Sequence, residues 1–404
     1  MKIETTVDRV AKGAGAAVLL MGWFLAAGAW EAAGDVPVET LPEIKELPDP
    51  FLMKNGRRVA TCEEWRKRRE EIKALLAHYE YGRMPPPPGN VAGEVTSGGK
   101  TRRYVQLSMG PEKKLKMSVL LTVPEGTGPF PAIVKPEHYS GGNGPESARR
   151  GYIVAQYDNC ALDPDKRDTV GPAQAAYPDH DWGTIAVWAW GGMRVIDYLM
   201  TLDEVDKTKI VVTGHSRGGK TALLIGALDE RVALTAPNAT GGGGAQCWRF
   251  PTWPKDPSGV RRHESVGDFF PKGKYHWFHP RMNSFVRKET HLPFDQHFLV
   301  ALVAPRPLCL IEAMDDGCAT PICVQRSFQA AKVVYDWLGA GEKIGLHIRQ
   351  EGGHQQGPED WAALLDFADL VFFGKKPKSG RVFDKVPYPD AKPAFSWKAP
   401  GESE

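Results

Sequence analysis

The chain has 404 residues, 42% hydrophobic, 25% charged and 10% aromatic, a balance that supplies a globular core and excludes a disordered or collagenous polymer. Its 51 Lys and Arg offset 49 Asp and Glu to a formal charge of +2, which leaves no electrostatic case for wrapping nucleic acid. A small anionic substrate, met by a few local cations, stays open.

The first thirty residues differ in kind from the rest. Lys2, Arg9 and Lys12 precede an uncharged run from Gly13 to Trp30, and Ala27-Gly28-Ala29 has the small-x-small pattern of a signal-peptidase site. The spacing predicts a signal peptide over residues 1–29 and an exported mature chain with no stable membrane partner. The rival reading is an uncleaved anchor, since the 18-residue run is at the edge of spanning length. Residues 30–59 read as an extended lead-in, 60–380 as the main folded domain and 381–404 as a C-terminal tail.

Within the domain, Trp65, Ile72, Leu75, Leu76 and Tyr79 recur at helical spacing from Cys62 to Tyr81, and the prolines after Met84 end that helix because they lack backbone N–H donors. Alternating runs at Thr101–Met109 and Leu115–Val123 predict an antiparallel pair. From there the register changes. Continuous apolar strands at Phe130–Val134, Tyr152–Tyr157, Ile210–Thr213, Val232–Pro237, Pro307–Met314 and Ile344–Ile348 alternate with helical stretches at Ile185–Leu202, Lys220–Leu228, Val324–Leu338 and Pro358–Phe373. That alternation predicts an α/β fold, a mostly parallel sheet covered on both faces. Gly241–Pro293 lacks periodicity and reads as an inserted loop region over one edge of the sheet. The six cysteines have no zinc-type spacing, and Cys309 sits in an apolar run as a buried thiol.

The strand Ile210–Thr213 runs into Gly214-His215-Ser216-Arg217-Gly218 and then a helix, which is G-x-S-x-G in the strand-turn-helix setting of a nucleophile elbow. Gly214 and Gly218 permit a tight turn that holds the Ser216 hydroxyl at the open end of the sheet, and the Arg217 amide falls at the helix N-terminus, where it can donate to an oxyanion. An α/β-hydrolase supplies its acid and then its histidine later in the chain. Asp315 and Asp316 end one late strand, and His354 lies on a Gly-rich turn after the last. Spacing alone leaves the choice of carboxylate open. His263, His276, His279, His291 and His297 fall in or near the insertion and read as structural or substrate-facing. The Lys135–Gly144 segment is a candidate second oxyanion loop. Lys220 lies one helical turn beyond Ser216 on the same face, so its ammonium can reach a substrate bound at the serine.

Four stretches in order, Trp182–Gly191, GHSRGGKTAL (214–223), GGGGAQCWR (241–249) and LPFDQHFLVALVAPRPL (292–308), resemble the glucuronoyl esterases, carbohydrate esterase family 15. The likeness covers roughly residues 60–375 and implies an α/β-hydrolase that cleaves esters between (4-O-methyl-)glucuronic acid groups of xylan and lignin alcohols, with no metal or organic cofactor. It implies Ser216 as nucleophile, His354 as base and Arg217 as oxyanion-stabilising side chain, with Lys220, Glu264 and Trp248 at the uronate sugar. Trp248 could stack on a pyranose face, with core packing as the rival use. Much of the family has its triad Glu where this chain has Ala239, so the acid is expected at Asp316, with Asp315 second. Likeness to the family's loop disulfide implies that Cys247 pairs with Cys323. The competing expectations are an acetyl xylan or other carbohydrate esterase, and a degenerate carbohydrate-binding homologue suggested by Ala239. A prolyl oligopeptidase type lacks support because no propeller-like repeat precedes the core.

Overall fold

A computed structural model describes residues 37–136, 143–250, 264–270 and 275–402, so the N-terminal segment read as a signal peptide lies outside the described residues. The strands are β1 (Ala92–Gly98), β2 (Arg102–Met109), β3 (Leu115–Thr122), β4 (Phe130–Pro136), β5 (Ile153–Tyr157), β6 (Val205–His215), β7 (Val232–Asn238), β8 (Leu308–Ala313) and β9 (Ile344–Arg349). They form one sheet in the order β1-β2-β3-β5-β4-β6-β7-β8-β9. The first three strands and β5 pair antiparallel, and β5 through β9 pair parallel.

Alternation along the central strands assigns the two faces. Leu234 and Ala236 of β7 join Ile133, Val211 and Ile311 in a core cluster against Trp361, Leu364 and Phe367 of the Pro358–Phe373 helix. Thr235, between them, points the other way, where its side chain lies so close to Gly226 of the Arg217–Leu228 helix that a Cβ there would come within 2.0 Å. Helices thus cover both faces, which is why these strands carry no polar alternation. Among the described residues, no helix is long and apolar enough to cross a membrane.

The chain order positions the site. β5 adds on one side of β4 and β6 on the other, so the winding direction reverses at β4 and opens a crevice at the carboxyl ends of these strands. Ser216, Ala239, Asp315, Asp316 and the His354 turn all follow strand ends on that edge.

The ends of the described chain close on each other. Trp397 donates its indole N–H to Leu47 O at 2.8 Å, His297 contacts Pro48 O at 2.8 Å, and Phe383 accepts a backbone bond from Leu346 of β9. Residues 37–59 and 381–402 are therefore packed parts of the same unit as the sheet.

Candidate active site

Ser216 caps the Arg217–Leu228 helix with φ 56° and ψ −122°, a region that side-chain-bearing residues rarely occupy. The turn is held from both sides: Ser216 N–H donates to Asn238 O at 3.0 Å, and Lys220 N–H donates to Ser216 O at 3.0 Å. Gly214 is required by crowding, because a Cβ there would stand 2.3 Å from Gly218 O. The serine is left half-buried at the strand end with the helix N-terminus, headed by Arg217, directly behind it.

The two adjacent aspartates do different things. His354 Nδ1 lies 2.8 Å from Asp316 Oδ2. Asp316 Oδ1 accepts from the Cys318 and Ala319 backbone N–H at 2.7 and 3.1 Å. Burial alone would raise the Asp316 carboxyl, yet the imidazole and the two backbone donors hold it below the ordinary carboxylate range. Asp315 instead accepts from Gly352 and Gly353 N–H at 2.9 and 2.8 Å, tethering the turn that carries His354. The far side of that turn is tied by Arg349, whose guanidinium donates to Gly353 O at 2.5 Å and Gln355 O at 3.0 Å and is anchored on the buried Asp360. His215 packs its ring 4.5 Å from that of His354. It is hydrogen-bonded through Nδ1 to Asn238 Oδ1 at 2.7 Å, and burial pushes its pKa down to about 4, so it stays neutral.

The Arg217 guanidinium is clamped. It forms an ion pair with Asp165 and lies 5.1 Å from the Trp277 ring centroid, while Asp165 also accepts from Trp277 Nε1 at 2.6 Å and contacts His276 Nε2 at 2.9 Å. Asp165 and Trp277 were not singled out by sequence; an aspartate in a proline-broken loop and a tryptophan in an aperiodic one give no spacing signal.

Lys220 is buried, with Nζ 2.5 Å from Thr240 O, 3.1 Å from Glu264 Oε2 and within 6 Å of the Phe269 and Trp277 ring centroids. Its ammonium is therefore paired with Glu264, which keeps 24% of its side chain exposed and also accepts from Gly242 N–H at 3.0 Å. Trp248 departs from the sugar-stacking expectation. It is 1% exposed, packed edgewise against Phe269 and Phe278, and donates Nε1–H to Glu80 Oε1 at 3.1 Å, so it supports the pocket from beneath. Glu80 is itself fully buried, and burial raises its pKa to about 8.

A family model described as "Glucuronyl esterase, fungi" matches residues 106–339. The chain belongs to the glucuronoyl esterase family. The 4-O-methyl-glucuronoyl methylesterase of Podospora anserina is 33% identical over 322 residues, 78% of this chain and 64% of that relative's length. Among solved structures, a family 15 glucuronoyl esterase from Caldicellulosiruptor kristjansonii superposes with a TM-score of 0.76 at 29% identity, covering 90% of this chain and 99% of that one. A glucuronoyl esterase from Sporotrichum thermophile, in complex with methyl 4-O-methyl-β-D-glucopyranuronate, gives 0.72 at 28% identity over 84% of this chain and 91% of that one.

Within that family the chain has specific features. Ala239, just past the end of β7, is buried with φ 47° and offers no carboxylate; the nearby Glu312 is sealed in the core, where burial drives its pKa well above the ordinary range. Cys247 and Cys323 are brought into contact but not joined: both are buried, and none of the cysteines among the described residues is in a disulfide. Of the insertion histidines, His276, His279, His291 and His297 face Asp165, Asp181, Leu41 O and Pro48 O, which gives them structural partners. His263 and most of the Gly-rich loop after β4, residues 137–142, lie outside the described residues.

Proposed function

We propose that this chain is an exported serine esterase that hydrolyses esters of glucuronic or 4-O-methylglucuronic acid through an acyl-enzyme. The observation that carries the reading is the Asp316–His354 pair, 2.8 Å apart, on the same sheet edge as the strained Ser216 turn. Ser216 Oγ attacks the ester carbonyl carbon while His354 takes its proton; Asp316 holds the imidazole and offsets its charge. The oxyanion forms beside the Arg217 amide and guanidinium. His354 then returns the proton to the leaving alcohol, and a water deprotonated by the same imidazole releases the uronic acid. No metal or organic cofactor enters these steps.

Charge supports the ester as substrate. A uronate ester has no carboxylate charge, so a pocket whose Lys220 is already paired with Glu264 suits the hydroxyls of a neutral sugar better than a bare cation would. Export is inferred from residues 1–29.

The test is hydrolysis of methyl or benzyl glucuronate by residues 30–404 beside Ser216→Ala, with fluorophosphonate labelling of Ser216. The expected result is turnover that vanishes in the variant. Labelling without uronate turnover would keep the hydrolase and discard the substrate, and preference for an acetylated xylan would replace it with an acetyl esterase. Absence of both would leave a carbohydrate-binding homologue.

A further inference from the structure

Among the described residues, one group of three side chains brings metal-ligating atoms within reach of a single ion: Asp316, Cys318 and His354 each offer one ligand atom, and these lie within 4.8 Å of one another. We propose that the cluster is an inhibitory site for a thiophilic divalent cation of the Zn2+ type. Its effect on turnover rests on the reading of His354 as the base; its existence does not.

The donor set carries the argument. A thiolate, an imidazole nitrogen and a carboxylate oxygen are the ligands that select zinc over magnesium or calcium. Around a tetrahedral zinc, with bonds of roughly 2.0 to 2.3 Å, ligand atoms stand about 3.5 Å apart, so any wider separation in the cluster has to close, and with Nδ1 as ligand its 2.8 Å approach to Asp316 Oδ2 has to open. Cys318 is exposed, so an ion from solvent can reach its side chain. Asp316 is already oriented by the Cys318 and Ala319 backbone N–H groups, which supplies the outer support that metal carboxylates need. Three protein ligands leave the fourth position to water. Sequence spacing hides the site, because an Asp-x-Cys pair and a histidine on another strand end match no zinc pattern.

Either mode of histidine ligation stops the proton shuttle. An ion on Nε2 occupies the lone pair that would accept the Ser216 proton. An ion on Nδ1 breaks the Asp316–His354 hydrogen bond and moves the ring proton to Nε2, leaving a donor where an acceptor is needed. In both cases the Cys318 thiol gives up its proton to solvent when the sulfur–metal bond forms.

The experiment titrates Zn2+ into the intact chain against a chromophoric chelator, for wild type and Cys318→Ala, and follows methyl glucuronate hydrolysis at the same ion concentrations. The expected result is one ion bound per wild-type chain, at least about tenfold tighter than in Cys318→Ala, with turnover falling as the site fills and returning on chelation. Cys318→Ala is expected to keep its own metal-free rate at the ion concentration that silences wild type, each rate being read relative to the same protein without metal. Equal affinity in the two proteins, or full turnover with the ion bound, would overturn the proposal. If no uronate ester is hydrolysed, the functional reading fails while the affinity difference still decides the site.

Discussion

Asp315 and Asp316 are one bond apart in the chain, yet one holds a turn and the other an imidazole. Replacing Asp316 with Asn removes the charge facing His354 and favours the wrong tautomer; by analogy with serine proteases that change costs about 10⁴-fold in kcat. Asp315→Asn removes the charge but keeps one acceptor for the Gly352 and Gly353 N–H groups, so a fall of about tenfold, on the order of 1.4 kcal/mol, is expected. Steady-state rates of the two variants check the assignment, and equal losses would refute the division of labour. Asp165→Asn addresses the oxyanion side. Without its anionic partner the Arg217 guanidinium loses its fixed position, so kcat should fall about tenfold to hundredfold while KM changes little. A rise in KM alone would place Asp165 at the sugar instead.

At the scale of elements, the His354 turn is a strap between β9 and the Pro358–Phe373 helix, bolted by Arg349 to Asp360 at 3.0 Å with both side chains at most 3% exposed. Removing one partner leaves the other charge buried, so Asp360→Ala is expected to cost about 3 to 5 kcal/mol and to lower Tm, with activity falling in the same preparation. A Tm within a degree of wild type would show that the pair is replaced by solvent. Much of this framework was legible in the sequence, because a parallel sheet buried on both faces writes itself as uninterrupted apolar runs. The exceptions have physical causes. β1 (AGEVTSG) is almost wholly exposed and shows no apolar alternation, and β6 begins at Val205, five residues before its apolar run, because the polar Asp206–Lys209 stretch sits at the strand's outer end. The elbow and the His354 turn were readable because both hang on strand ends. Asp165 and Asp360 were not, since their partners are 52 and 11 residues away and salt bridges of that span have no local signature.

For the whole molecule, the closure of lead-in and tail makes stability depend on pH. His297, sealed between Pro48 O and the Trp397 ring, has its pKa pushed down to about 4 by burial, and its Nδ1 is buried without a hydrogen-bond partner. A histidine lowered from 6.5 stabilises the fold above pH 6.5, and that contribution is lost as pH falls toward 4, because the unfolded chain takes up the proton first. Glu80 works in the opposite direction. Burial raises its pKa from 4.5 to about 8, so the stability tied to its protonated form is complete below 4.5 and is lost as pH rises through 8, where an ionised carboxylate would sit beneath the Lys220 pocket. Glu80→Gln keeps an acceptor for Trp248 and Gln296 but cannot ionise. Thermal melts of wild type and variant between pH 5 and 8 should therefore diverge in the variant's favour as pH rises, by on the order of a few kcal/mol. A constant offset across that range would mean that Glu80 is ionised in the native protein throughout, and that its two N–H donors outweigh the cost of burying its charge.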